Sequence, residues 1–174
     1  MLVIRTANND DFGPVKDFYW SLIDSFKYME YGPGWIKGIY PAEEYLLSLI
    51  ANGELYIGET EGNMVSCMAV NHAYNEGYKK VKWSVEATDD ELYVIHILAV
   101  LPECSRKGIA KQMVGKVIEM ARENNVKTIR LDVLMGNIPA EKAYTKMGFK
   151  YLETIPMFYE DTGWMDFKLF EFII

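Results

Sequence analysis

The run Leu92-Tyr93-Val94-Ile95-His96-Ile97-Leu98-Ala99-Val100-Leu101 passes directly into Pro102-Glu103-Cys104-Ser105-Arg106-Lys107-Gly108-Ile109-Ala110-Lys111. A near-continuous apolar run ended by proline reads as a strand buried on both faces, in the middle of a sheet. Beyond it, Ile109, Met113, Val117 and Ala121 share one helical stripe, with Ala110, Val114 and Ile118 beside it, and the pattern stops near Asn124-Asn125. Ile129, Leu131 and Val133 then alternate between Thr128 and Leu134 as a strand. Strand, helix, strand is a right-handed βαβ unit, which sets the class as α/β.

Outward from this unit, the sequence predicts a strand at Leu2 to Thr6. A helix follows, capped by Asp10 or Asp11, with Pro14 in its first turn and Phe12, Val15, Phe18, Tyr19, Leu22 and Phe26 on its inner stripe. Gly32, Pro33, Gly34, Gly38 and Pro41 break regular structure while Tyr31, Trp35 and Tyr40 keep large rings in that loop. Glu43 to Ile50 reads as a short helix stopped at Asn52-Gly53. Glu54 to Thr60 and Met64 to Asn71 form an antiparallel hairpin about Glu61-Gly62-Asn63. Asn75 to Asp90 is polar and reads as an inserted loop anchored by Trp83 and Val85. A last helix starts near Asn137 and Pro139 and stops at Gly148, and two strands, Phe149 to Ile155 and Asp166 to Ile174, close the chain. Without a repeat, low-complexity tract or linker, residues 1–174 are expected to form one domain.

The 174 residues carry 18 Lys and Arg against 25 Asp and Glu, a net charge of −7. A chain of this size buries roughly 70% of its unfolded surface and needs no metal or disulfide to fold. The acidic balance argues against nucleic acid as a partner. Cys67, Cys104, His72 and His96 have no metal-ligand spacing, so no metal is expected. Asp10 and Asp11 interrupt any signal sequence, and no apolar run reaches the roughly 18 residues of a spanning helix. The expectation is a cytoplasmic protein with no membrane partner. The charge is uneven, however: Cys104 to Arg130 holds seven basic residues against two acidic ones. Such an island marks either one anionic ligand or a solvated helix face.

Position favours the ligand. Amides at a helix start lack intrahelical partners and carry the positive end of the helix dipole. Gly108 lets an anion approach the backbone, Ala110 keeps the next turn small, and Arg106, Lys107 and Lys111 add charge at the same point. Neither the nucleotide P-loop nor the dinucleotide glycine pattern is present. The second chemical segment is Asn137-Ile138-Pro139-Ala140-Glu141-Lys142-Ala143-Tyr144-Thr145-Lys146-Met147-Gly148-Phe149, in which Ala140 and Tyr144 share a helical face. Taken alone, Tyr144 is either a packed core phenol or a functional one.

These two segments, in this order and about thirty residues apart, resemble the GNAT superfamily of acetyl-CoA-dependent N-acetyltransferases. The family's pyrophosphate loop, Arg/Gln-x-x-Gly-x-Gly/Ala, aligns with Ser105-Arg106-Lys107-Gly108-Ile109-Ala110. Its next motif pairs an Asn with a Tyr seven residues on and then Gly-Phe. Ile97-Leu98-Ala99-Val100, the Glu54 to Asn71 hairpin, Phe170-Glu171, and Trp35 with Tyr40-Pro41 extend the likeness over most of the chain. Ser105 departs from the pattern, and the sequence leaves open whether Arg106 replaces the missing side chain.

The resemblance implies a mixed central sheet whose parallel strands splay apart after Val100 and Leu134, flanked by helices. Acetyl-CoA would lie in that gap as acyl donor: main chain at Leu98, Ala99 and Val100 would take the pantetheine arm, and the segment from Ser105 through Ile109 and Ala110 to Lys111 the pyrophosphate. Asn137 would hydrogen-bond the arm or nearby backbone, with Ala140 and Lys146 beside it, and Tyr144 would protonate the departing thiolate. The implied reaction is direct attack by a primary amine of a small molecule or peptide, with an N–H at Leu98 or Ala99 steadying the oxyanion. His96, with its ordinary pKa near 6.5, is either the candidate base, with Glu91 and Glu86 as rivals acting through water, or a buried strand histidine with a satisfied ring nitrogen. Trp35, Tyr40, Trp83 and Tyr31 either wall the amine pocket or cap the core. The alternative is a non-catalytic acyl-CoA-binding sensor or interaction module, and a homodimer through Leu169 to Ile174 is a further possibility.

Overall fold

The computed structural model describes residues 1–28, 31–160 and 162–174. Along the chain run β1 (Val3–Thr6), α1 (Phe12–Phe26), α2 (Glu43–Ala51), β2 (Leu55–Thr60), β3 (Asn63–Asn71), β4 (Leu92–Val100), α3 (Ile109–Glu123), β5 (Thr128–Leu134), α4 (Ile138–Lys146), β6 (Lys150–Tyr159) and β7 (Gly163–Ile173). Among the described residues the strands form one seven-stranded sheet, ordered β1-β2-β3-β4-β5-β7-β6. All pairs are antiparallel except β4 with β5. The apolar run that opens the sequence argument is therefore central, between β3 and β5.

Strand alternation divides the core. Cys67, Ala69, Ile97 and Ala99 pack with Val15, Tyr19 and Leu22 of α1 and Leu46 and Leu49 of α2. Met68, Val70, Ile95, Leu131 and Val133 pack on the opposite face with Met113, Val114, Val117 and Ala121 of α3. Each face thus has its own helical layer, as the βαβ unit and the two early helices require.

Several local expectations change. Asn8, rather than Asp10 or Asp11, is the capping side chain: its Oδ1 accepts the Asp10 N–H at 2.9 Å, and the Asp11 carboxylate accepts the Asn8 N–H at 2.8 Å. Arg5 also donates to both oxygens of Asp11, at 2.7 and 2.8 Å. In the segment 75–90, Tyr78 and Val81 are buried and Trp83 and Val85 only half-buried. The Glu76–Lys80 turn, capped by Asn75, carries Tyr78 inward. The two last strands are longer than the sequence suggests, pairing out to Tyr159 opposite Gly163. Pro156 is tolerated there because β6 is the sheet edge, where a missing N–H costs no ladder bond. β7 lies inside, between β5 and β6, so in the stretch Leu169 to Ile174 the residues up to Glu171 are covered by β6 and Phe172 and Ile173 pair with β5 alone.

The basic island is also divided. Arg130 is buried with Glu171, Nε to Oε1 at 3.3 Å, while its Nη2 donates to the Val85 carbonyl at 2.7 Å and its guanidinium lies 4.2 Å over the Trp83 ring. Lys127 pairs with Glu91 and Lys116 with Glu119. Arg106, Lys107 and Lys111 at the loop are exposed and have no ion-pair partner among the described residues. Glu171→Gln, which strands the buried Arg130, is expected to lower stability by ~3 kcal/mol in urea denaturation. The paired replacement Arg130→Met with Glu171→Leu should cost much less.

Candidate active site

β4 and β5 stay in register only from Leu92 opposite Thr128 to Val94 opposite Arg130. The parting follows from a bulge in β4. Against β3, Ala69 pairs with His96 and Cys67 with Ala99, so Met68 faces both Ile97 and Leu98. An extra residue bends its strand, and Ile97 takes φ +45°, a conformation a β-branched residue adopts only when its surroundings hold it. The holding group is Tyr19, fully buried, whose hydroxyl donates to the Ile97 carbonyl at 2.8 Å.

That bond also orients the next amide. In a planar trans peptide the carbonyl and the following N–H point in opposite directions, so fixing Ile97 O aims the Leu98 N–H away from Tyr19. Leu101 N–H bonds to Val65 O at 2.9 Å, which turns Leu101 and, two residues back, Ala99 toward β3. Leu98 and Val100 therefore face the side from which β5 has withdrawn, leaving a strand edge open to a ligand.

A cleft of about 390 Å³ fills the parting and passes between the two faces of the sheet. From the α3 and α4 side it is lined by Asn137, Ala140 and Tyr144, from the α1 side by Tyr31, Trp35 and Tyr40, with His96, Leu98 and Val100 along β4 and Asp132 on β5. Asn137 caps α4, accepting the Ala140 N–H on Oδ1 at 3.4 Å. The Tyr144 ring stands edge-on to Phe149 at 5.5 Å, and its hydroxyl has no partner among the described residues. Burial pushes that phenol above its ordinary pKa, so it stays protonated. Lys146 is exposed at the far end of α4.

At one end of the opening, Arg106 and Gly108 take φ +61° and +77°, and α3 begins at the next residue. Among the described residues the Arg106 to Lys111 amides have no backbone partner, the first bond of the turn being Gln112 N–H to Gly108 O at 3.1 Å. Nothing lies within 4 Å of where a Gly108 Cβ would stand. Together these form an open nest of amides at a helix start, flanked by three unpaired cations, and suited to a pyrophosphate. The amide nest, the open strand edge and the cleft lie in the order that the phosphate, amide and thioester ends of acetyl-CoA would need.

His96 lines the cleft, but its chemistry differs from that of the candidate base. Its Nε2 lies 2.9 Å from Asn71 Oδ1 and 3.1 Å from Ala73 O. Asn71 is oriented by donating its Nδ2 to Glu54 and accepting the Ala73 N–H on Oδ1, so Nε2 carries the hydrogen. Burial pushes the imidazole pKa down to about 4, in place of the ordinary value near 6.5. The folded protein therefore holds fewer protons than the unfolded chain between these values, and stability should fall as pH drops from 6.5 toward 4. The slope expected is on the order of 1.4 kcal/mol per pH unit, and denaturation of His96→Gln should show it removed.

Asp132 is the site residue that the sequence reading missed. Tyr78 and Tyr159 both donate to its Oδ2, at 2.7 and 3.0 Å, while Oδ1 has no partner among the described residues. Desolvation raises its pKa, outweighing the two hydroxyls that lower it. The available signal was a carboxylate in the middle of an inner strand, where a charge without a function is rare.

Other candidates fall elsewhere. Glu91 is held by Lys127 at 2.7 Å, Glu86 is exposed, and Trp83 sits on Arg130; none lines the cleft. Cys104 is half-buried and packs against the α3 core. His72 holds main chain, its Nδ1 2.8 Å from both Asp89 O and Leu92 O. Among the described residues no group of three or more His, Cys, Asp or Glu is arranged to hold a metal ion, and no helix is long and apolar enough to cross a membrane.

Comparison with known proteins agrees with this architecture. The acetyltransferase (GNAT) family pattern matches residues 16–149. A Schizosaccharomyces pombe protein described as an uncharacterized N-acetyltransferase is 42% identical over 43 residues, 25% of this chain and 23% of that protein, so the chain matches under a quarter of that relative's length. A GNAT-family acetyltransferase from Listeria monocytogenes superposes with TM-score 0.75 at 19% identity, covering 99% of this chain and 95% of the other. Arabidopsis thaliana NAA60 in complex with acetyl-CoA gives 0.71 at 16%, covering 100% and 99%. The ribosomal-protein-alanine N-acetyltransferase of Brucella melitensis gives 0.70 at 17%, covering 99% of each. At these identities the structures speak for the fold, and the family pattern speaks for kinship: the chain belongs to the GNAT acetyltransferase family.

Proposed function

We propose that the protein is an N-acetyltransferase, working as one domain, that moves an acetyl group from acetyl-CoA to a primary amine within a ternary complex. The observation that carries this is the cleft itself, with a protonated, unpartnered Tyr144 on one side of the sheet and the carboxylate of Asp132 on the other. Bound acetyl-CoA supplies an activated acyl group and a thiolate leaving group.

The amides from Arg106 to Lys111, with the cations of Arg106, Lys107 and Lys111, hold the pyrophosphate, so Ser105 needs no long side chain. Leu98 and Val100 pair with the pantetheine arm, and Asn137 and Ala140 border it. The Leu98 N–H, aimed by Tyr19, donates to the thioester oxygen as negative charge develops there. Asp132 receives the ammonium and takes one proton from it, which frees the nitrogen lone pair to attack the carbonyl carbon; the second nitrogen proton, lost as the tetrahedral intermediate collapses, restores the Tyr144 hydroxyl through solvent. The Tyr144 hydroxyl donates to sulfur as the carbon–sulfur bond breaks. His96, uncharged near neutral pH, serves as a polar wall. The acceptor is a small molecule or a peptide amine, and free Cys67 and Cys104 suit a reducing cytoplasm.

Gly108→Val tests the phosphate end. A β-branched residue at φ +77° is strained and fills the open approach, so KM for acetyl-CoA is expected to rise about 10-fold or more with kcat little changed. An unchanged KM in an acetyl-CoA titration would remove the amide nest from cofactor binding. The non-catalytic alternative is tested by thiol release with a panel of amines, since a sensor would bind CoA and release none.

A further inference from the structure

The cleft is uneven in the chemistry it offers an acceptor. Aromatic rings of Phe26, Tyr31, Trp35, Tyr40, Tyr159 and Phe167 line it, and no Lys or Arg does so among the described residues. Among the described residues its titratable groups besides the tyrosines are Asp132 and His96, and His96 is neutral with its Nε2–H already engaged. The rings are fixed in place: Trp35 meets Tyr19 edge-on at 5.8 Å and Phe26 at 6.0 Å, and Tyr40 stacks on Tyr45 at 5.7 Å. The nearest hollow with cations, about 510 Å³, shares Phe26 and Trp35 with the cleft, but its Lys27 and Lys37 both pair with Asp24, at 2.8 and 3.0 Å.

We infer that the acceptor is a primary monoamine on an apolar or aromatic body with no carboxylate beside the amine, its ammonium received by Asp132 Oδ1 and its body lying against the Trp35 and Tyr40 rings. The inference rests on the acetyl-transfer reading above and narrows its substrate. An ammonium gains from an unpaired, partly desolvated carboxylate, and an apolar body gains from preformed aromatic walls. A carboxylate one carbon from the amine would face Asp132 with no cation to offset it. A sugar or polyamine would bring several hydroxyls or further ammonium groups to a wall whose one carboxylate and few tyrosine hydroxyls, among the described residues, meet only some of them. A free arylalkylamine and the N-terminus of a peptide that begins with an apolar residue share the required chemistry.

The test is thiol release from acetyl-CoA with 2-phenylethylamine, phenylalaninamide, a phenylalanine-initiated tripeptide amide, phenylalanine, glucosamine and spermidine. The expected result is kcat/KM at least about 10²-fold higher for 2-phenylethylamine and phenylalaninamide than for phenylalanine, with glucosamine and spermidine lower still. Preference between the tripeptide and 2-phenylethylamine distinguishes peptide from free amine, and either preference supports the shared chemistry. In Asp132→Asn the ratio of 2-phenylethylamine to phenylalanine should shrink about 10-fold, a change in preference that a general loss of activity would not produce. Turnover of phenylalanine, glucosamine or spermidine equal to that of 2-phenylethylamine overturns the inference while leaving acetyl transfer standing. Tight acetyl-CoA binding with no thiol release for any amine overturns both.

Discussion

Replacing Tyr144 by Phe is expected to lower kcat by on the order of 10²-fold or more while the Kd for acetyl-CoA stays within about threefold of wild type. The substitution removes one oxygen and keeps the ring that Phe149 and Phe170 pack against, so the core near α4 should hold. The hydroxyl is the part that counts, because it is the proton donor that the cleft presents from the α4 side and no group among the described residues occupies it. Burial keeps it protonated, which suits a donor to a departing thiolate and not a base. An unchanged kcat, measured by thiol release at saturating acetyl-CoA, would take Tyr144 out of the chemistry.

Asp132→Asn is expected to produce a loss of similar size, about 10²-fold in kcat/KM for the amine, with acetyl-CoA affinity again preserved. Asn keeps the acceptor oxygen for Tyr78 and Tyr159 but neither attracts an ammonium nor takes its proton. The sign of the pH effect follows from the raised pKa of Asp132. The carboxyl acts only when ionised, so wild-type kcat/KM should climb with pH through a value above the ordinary carboxylate range. In Asp132→Asn that acid limb should be absent. A variant that keeps both the limb and the rate would assign the amine proton to another group.

How much of this the sequence carried depends on what each residue had to reveal. The strand ending at Val100, the loop through Gly108, the helix from Ile109 and the motif from Asn137 to Phe149 were legible because local rules decide them: apolar periodicity, positive φ at glycine, a cap ahead of a helix. The observed sheet order and the parting of β4 from β5 follow that outline. What escaped was set by tertiary contact. Asp132 alternates with Leu131 and Val133 as any solvent-facing residue would, and only the arrival of Tyr78 and Tyr159 from distant segments shows it is enclosed. The pKa of His96 is set by burial, offset in part by the hydrogen bond to the Ala73 carbonyl, 23 positions away. Tyr19 looked like one ring on an amphipathic stripe, yet its hydroxyl reaches 78 positions along the chain to the Ile97 carbonyl. Tyr78 and Val81 were hidden in a polar stretch whose turn only the folded chain defines.

The basic island illustrates the same division. Summed along the sequence, it marked either one anionic ligand or a solvated helix face. In the fold, only Arg106, Lys107 and Lys111 gather at the amide nest, while Lys116, Lys127 and Arg130 are paired with Glu119, Glu91 and Glu171. Charge counted by position takes in more members than gather at the nest.

The most direct test is to incubate the purified protein with acetyl-CoA and 2-phenylethylamine, follow free thiol, and weigh the amine product by mass spectrometry. Acetyl transfer predicts one thiol released per N-acetylated amine formed, at a rate that rises with enzyme and falls in Tyr144→Phe and Asp132→Asn. Thiol release no faster than in the absence of amine, for this and every other amine of the panel, with acetyl-CoA bound all the same, would contradict it.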